Sequence, residues 1–220
     1  VEQSSPLYAG PKTAGVAALK FNSSLARVRD LRSSVDWLIV QLHWGMEMSQ
    51  LPSPQQRELA RKFVDAGADL ILGHHPHVLQ PFEVIDGVPV AYSLGNFLFS
   101  EMYSRGVNIK GQQFCAKLRL HPLSRLTGWL DVVLTRGQPP QVHLAPCLLR
   151  RDLVVVPDAG RNMIELLAML NRDNYAEAYK RECDRAQART TWRWDCKPLM
   201  RRVEMKLFSL GLLPGAFEGT

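Results

Sequence analysis

Hydrophobic positions near the start of the chain fall at helical spacing. In SLARVRDLRSS (24–34), Leu25, Val28 and Leu31 recur every third residue, which lines them along one side of a helix. Ser23 or Ser24 is placed to cap it. The pattern then changes to WLIVQLH (37–43), a nearly continuous apolar run of strand length. Such a run predicts a strand buried on both faces, as in a parallel sheet. HWGMEMSQLP reads as a loop. Ser53-Pro54-Gln55-Gln56 then carries three helix-start signals: a capping serine, proline at the first helical position, and glutamine three residues past the cap. The helix QQRELARKFVDA presents Leu59, Phe63 and Val64 and stops at Gly67. A second apolar strand, DLILG, follows at 69–73. Helix, strand, loop, helix and strand in this order predict a βαβ unit with parallel strands and a right-handed crossover.

Beyond residue 80 the style changes. VPVAYSLGNFLF (88–99), QFCAKLRL (113–120), GWLDVVLTR (128–136) and QVHLAPCLL (141–149) are strand-like, with turns at Asp86-Gly87, His121-Pro122 and 137–140. Their short connections predict antiparallel pairing. Residues 161–189 read as helix, with Met163, Leu166, Leu167 and Leu170 as its apolar stripe. The fold class expected is α/β, a βαβ unit followed by antiparallel strands and a C-terminal helix.

With 220 residues and 46% hydrophobic content, the chain suits one sizeable domain. No run approaches the roughly 18 apolar residues of a membrane-spanning helix. The chain opens on Val1 in what reads as the middle of a loop, so it is expected to begin inside a larger protein. The four cysteines (Cys115, Cys147, Cys183, Cys196) form no C-x-x-C pair, which argues against a thiolate zinc site. They read as isolated thiols, with a Cys183–Cys196 disulfide left open. The net charge of +6 is local: nine basic and four acidic residues lie between Lys180 and Lys206. Arg181, Arg185, Arg189 and Arg193 recur every four residues along one side of a helix, which reads as a solvated face. With the rest near neutral, a nucleic-acid partner is not favoured.

Candidate chemistry concentrates in LILGHHPHVLQ (70–80), which holds three of the six histidines within four positions. In open α/β sheets ligands bind beyond the carboxyl ends of the strands. His43 ends the first predicted strand, and His74, His75 and His77 follow the second, so parallel pairing would group all four. Neutral imidazole is a common metal ligand. Pro76 favours an extended His75, which would send His75 and His77 to the same side and His74 to the other. The metal ligands expected are therefore His43, His75 and His77. His74 reads as a support for a ligand or as a substrate contact. Glu47 either orients a histidine, accepts a substrate proton, or is a plain loop carboxylate. Gln80 and Asn96 read as structural polar groups, Trp44 as an anchor, and His121 and His143 receive no role.

HWGMEM, the helix opening at SPQQRELA and DAGADLILGHHPHVLQPFEVIDGVPVAYSLGNFLF together resemble the poly-gamma-glutamate capsule-synthesis (CapA-like) family, densely over 36–99. That family is similar to the calcineurin-like metallophosphoesterases. The resemblance implies a four-layer α/β/β/α sandwich and two divalent metal ions, Mn, Fe or Zn. It further implies hydrolysis of an ester or amide by metal-activated water, in capsule polymer synthesis or export. His43 matches the family's first late histidine. Gly73-His74-His75-Pro76-His77 leaves His74 and His75 as alternatives for the next. The early Asp-x-His, Gly-Asp and Asn-His motifs are absent and are expected ahead of Val1, which would leave a sheet edge exposed. Residues 1–156 are expected to be the later part of that domain, and 157–220 a helical, basic extension. Expected partners are a small-molecule or polymer substrate and envelope or export proteins. Location is open between the bacterial cell envelope and the cytoplasm. The alternative to an enzyme is a non-catalytic binding or assembly partner.

Overall fold

A computed structural model describes residues 8–10, 12–107, 113–158, 170 and 173–194, with backbone alone for 102–107, 113–118 and 191–194. The architecture is α/β. Helix α1 spans Phe21–Arg32, strand β1 Ile39–His43, helix α2 Pro54–Asp65 and strand β2 Leu70–His74. Strands β3 (Phe82–Ile85) and β4 (Val88–Ala91) complete a four-stranded sheet of order β1-β2-β4-β3. β1 and β4 run parallel to β2. The β3–β4 hairpin turns on Asp86 (φ +48°) and Gly87 (φ +82°), two consecutive positive φ values that suit the twist of a hairpin. β5 (Met102–Val107) and β6 (Gln113–Leu118) form an antiparallel pair. β7 (Leu126–Val133), β8 (Gln141–Leu149) and β9 (Val155–Pro157) form an antiparallel sheet. Helix α3 covers Tyr175–Trp194.

The main core lies on one face of the first sheet. Leu25 and Val28 of α1 and Ala60 and Phe63 of α2 pack with Leu42, Ile71 and Val90. Ser53 accepts from the Gln56 amide (3.0 Å) and Gln56 accepts from the Ser53 amide (2.9 Å), completing the capping box. Asp69 ties the elements together: it pairs with Arg32 of α1 and accepts from Leu38 N (2.7 Å) ahead of β1.

Several sequence expectations change. β1 is not buried on both faces: Ile39, Gln41 and His43 are exposed, because only Val40 and Leu42 turn toward the helices. α1 begins earlier, with Lys20 at its N-cap and no side-chain cap; the Ser24 hydroxyl accepts the Lys20 N–H instead. The apolar stretch 88–99 is strand only to Ala91, and Gly95 (φ +71°) turns the chain farther on. The expected helix over 161–189 is interrupted by a turn at Asp173-Asn174; Met163, Leu166 and Leu167 lie outside the described residues. Arg189 does not belong to a solvated stripe: its side chain is 16% exposed and pairs with Glu182. Cys147 is a buried free thiol, while Cys196 lies outside the described residues. No described helix is long and apolar enough to cross a membrane.

Candidate functional site

The site is built where β1 and β2 end side by side. Parallel register sets His43 opposite His74, and the Trp44 amide donates to the His74 carbonyl (3.0 Å). Gly73 makes this junction possible. A β-carbon there would stand 2.0 Å from the Tyr92 carbonyl oxygen and 2.5 Å from the Trp44 indole nitrogen. Through that gap the Trp44 indole donates to the Tyr92 carbonyl (3.0 Å), with the two rings stacked at 5.9 Å. Trp44 is thus a core anchor that locks the ends of β1, β2 and β4.

Past β2 the chain turns sharply. His75 has φ +107° and His77 φ +58°, so the extended conformation expected for His75 is not the one adopted. Positive φ is strained for residues with a β-carbon. The turn is held by a contact remote in sequence: the Met48 amide donates to the Pro76 carbonyl (2.8 Å), between the two histidines.

The turn brings three imidazoles together. His75 Nδ1 lies 3.0 Å from His43 Nε2, with ring centroids 4.7 Å apart, and the His77 ring is 6.3 Å from that of His75. Burial pushes the His75 pKa down, with help from His43 and His77, while the Glu47 carboxylate opposes the shift. A lowered pKa favours the neutral ring, the form that can donate a lone pair. His77 Nδ1 meets Asn96 Oδ1 at 2.8 Å. The Asn96 amide nitrogen faces the carbonyls of His77 (3.4 Å) and Ser124 (3.5 Å), so its oxygen is the end that meets His77. An amide oxygen only accepts, so His77 carries its proton on Nδ1 and presents Nε2 as the lone-pair nitrogen. Sequence reading weighed Asn96 and took it for a structural polar group; the signal for its place in the site is the adjacent Gly95, whose positive φ turns the chain there. Phe99 packs edge-on to His77 at 5.4 Å.

His74 stands apart from this trio. Its Nε2 faces the Gln41 amide at 3.4 Å, and burial, with the neighbouring His43, lowers its pKa. It opens onto a groove of about 420 Å³ walled by Phe97 and Trp129, whose rings meet edge to face at 6.1 Å. Gln80 is structural: its amide donates to the Ser49 (2.8 Å) and Leu51 (3.2 Å) carbonyls. His121 caps a short 3-10 turn by accepting from Leu123 N, and His143 faces Asp131 at 4.0 Å on the surface.

As metal donors, imidazoles have the right chemistry, but the set is partial. His43 and His75 point nitrogens at each other, and among the described residues no group of three or more His, Cys, Asp or Glu side chains converges to hold a metal ion.

Residues 2–101, which contain every histidine of this site, match the family described as bacterial capsule synthesis protein PGA_cap. The chain is 43% identical over 141 residues to the PGA biosynthesis protein CapA of Bacillus subtilis, covering 64% of this chain and 34% of that protein. It is 41% identical over 117 residues to the capsule biosynthesis protein CapA of Bacillus anthracis, covering 52% of this chain and 27% of that protein. A probable polyglutamine synthesis accessory protein of Mycobacterium tuberculosis is 34% identical over 61 residues, 28% of this chain and 16% of that protein. The aligned region spans about a third of the Bacillus subtilis relative or less of the others. These matches, and the histidine-bearing strand ends they cover, make residues 2–101 similar to the bacterial capsule synthesis family PGA_cap and to the CapA proteins of two Bacillus species.

Proposed function

We propose that this chain carries the histidine part of a divalent-metal site in a phosphoesterase-type hydrolase of capsule polymer biosynthesis. The observation that carries the reading is the packing of His43, His75 and His77 at the joined ends of β1 and β2, with His77 Nδ1 held by Asn96. In this reading the four-stranded sheet and its helices are part of a four-layer α/β/β/α sandwich. The reading needs carboxylate ligands beside these histidines, since the set among the described residues is partial. A divalent ion, when bound, supplies Lewis acidity toward a phosphoryl or carbonyl oxygen. The residues here hold and orient: Asn96 holds His77 Nδ1 and leaves Nε2 as the lone-pair nitrogen, and His74 lies at the mouth of the groove, where it can contact substrate. Glu47, whose charge reaches His75, steadies that ring or takes a substrate proton.

A second reading is a non-catalytic binding or assembly partner in polymer synthesis or export, favoured by the His43–His75 contact, which occupies one nitrogen of each ring. The test is phosphoester turnover by a protein of the relatives' full length, beside its His75→Ala variant. The first reading predicts metal-dependent turnover lost in the variant. Metal binding with no turnover on any ester or amide tried would favour the second. In either case the work is expected at the bacterial envelope or in the cytoplasm, on a small-molecule or polymer substrate.

A further inference from the structure

Three residues of α3, spaced seven apart, meet every second residue of the segment that follows β1. Tyr175 donates its hydroxyl to the Pro52 carbonyl (2.5 Å). Glu182 accepts from the Gln50 amide (2.9 Å). Arg189 donates to the Met48 carbonyl (3.0 Å). Seven residues are close to two helical turns, so the three lie along one side of α3, and the segment runs antiparallel to the helix. Glu182 is 5% exposed and pairs with Arg189, so both charges are satisfied where burial would otherwise penalise them. Between them Ala186 is fully buried against Met48 and Val78.

The path from this helix to the histidines is one residue deep. The carbonyl of Met48 is held by Arg189, and its amide holds the Pro76 carbonyl between His75 and His77. Met48 is itself at φ +64° with a wholly buried side chain, a conformation that needs its surroundings to hold it. The same is true of His75 and His77. We propose that Tyr175, Glu182 and Arg189 are positioning residues: α3 straps the 48–52 segment, and through the Met48 peptide fixes the strained His75-Pro76-His77 turn. What the turn is used for rests on the metal reading above; the strap itself does not.

The test uses the full chain and two readouts. One is the imidazole C–H proton signals of His75 and His77 at fixed pH; the other is affinity for Zn²⁺ by chelator competition. Arg189→Met and Glu182→Gln are compared with Arg181→Gln, an exposed α3 change outside the strap. The strap predicts displaced His75 and His77 signals and affinity lowered by about tenfold in the first two, the range found for groups that orient ligands. It predicts neither change in Arg181→Gln, and partial recovery in Arg189→Lys. If Arg189→Met does not fold, Tyr175→Phe, which loses one hydroxyl, takes its place. Lowered thermal stability with unmoved His75 and His77 signals would overturn the proposal and leave α3 a packing element. Absence of Zn²⁺ binding in the unaltered chain would count against the metal reading alone, and the proton signals would still decide the strap.

Discussion

His43 Nε2 and His75 Nδ1 stand 3.0 Å apart at the ends of two parallel strands, so one ring donates a proton and the other must be neutral to accept it. Acid works against this contact. The His74 and His75 pKa values lie below the ordinary value, chiefly through burial. The unfolded chain therefore takes up protons first, near the usual histidine value of about 6.5. Stability is full above that pH and falls as pH drops toward the lowered folded values. Urea midpoints of the metal-free chain are expected to be lower at pH 5.5 than at 7.5. A His74→Gln/His75→Gln variant is expected to show a flatter profile. Equal midpoints in the unaltered chain would contradict this.

Gly73 has no room for a side chain. A β-carbon would press into the Tyr92 backbone at 2.0 Å and into the Trp44 indole at 2.5 Å, and the backbone oxygen cannot swing aside as a flexible side chain would. Gly73→Ala is expected to destabilise by on the order of 3 kcal/mol or more, read by chemical denaturation. A change within about 0.5 kcal/mol, the size of an ordinary surface substitution, would show that the strand ends are not locked as described.

Asn96 is 7% exposed and sets the His77 tautomer. In Asn96→Ala, His77 loses the acceptor for its Nδ1 proton. Zn²⁺ affinity is expected to fall about 10- to 100-fold, and the ¹⁵N signals of His77 should show a changed tautomer balance. Unchanged ¹⁵N signals would remove Asn96 from the site.

Glu83 of β3 gathers a largely buried polar group: it pairs with Arg57 at 2.9 Å and accepts from the Tyr92 hydroxyl at 2.9 Å. Arg57 in turn lies over the Tyr175 ring at 4.8 Å. Glu83→Ala strands both the guanidinium and the hydroxyl, and is expected to destabilise by about 3 kcal/mol. Glu83→Gln, which keeps an acceptor, should lose less. Equal losses in the two variants would mean that packing, and not polar pairing, is what Glu83 supplies.

The local parts of this fold were legible. Ser53, Pro54 and Gln56 announce their helix because every partner lies within one turn. The apolar runs ending at His43 and His74 give two parallel strands, and with them the grouping of histidines. What was not legible depends on contacts between distant residues. The positive φ of His75 is held by Met48, twenty-eight positions before Pro76 in the chain, against the local preference that Pro76 sets. An apolar run does not say whether a neighbour covers its second face, so the exposure of Ile39 was missed. Four arginines at helical spacing look alike in sequence; only the loop at Met48 makes Arg189 an inward-facing residue. Asn96 looked like any loop amide until the Gly95 turn brought it to His77.

The most direct test of the central claim is the metal content of this chain and of its His75→Ala/His77→Ala variant. Both would be equilibrated with Mn²⁺ or Zn²⁺, dialysed and measured by plasma mass spectrometry. Bound metal is expected in the unaltered chain, below one ion per chain because the ligand set is partial, and its loss in the variant. Equal metal content in the two proteins, or none in either, would contradict that claim.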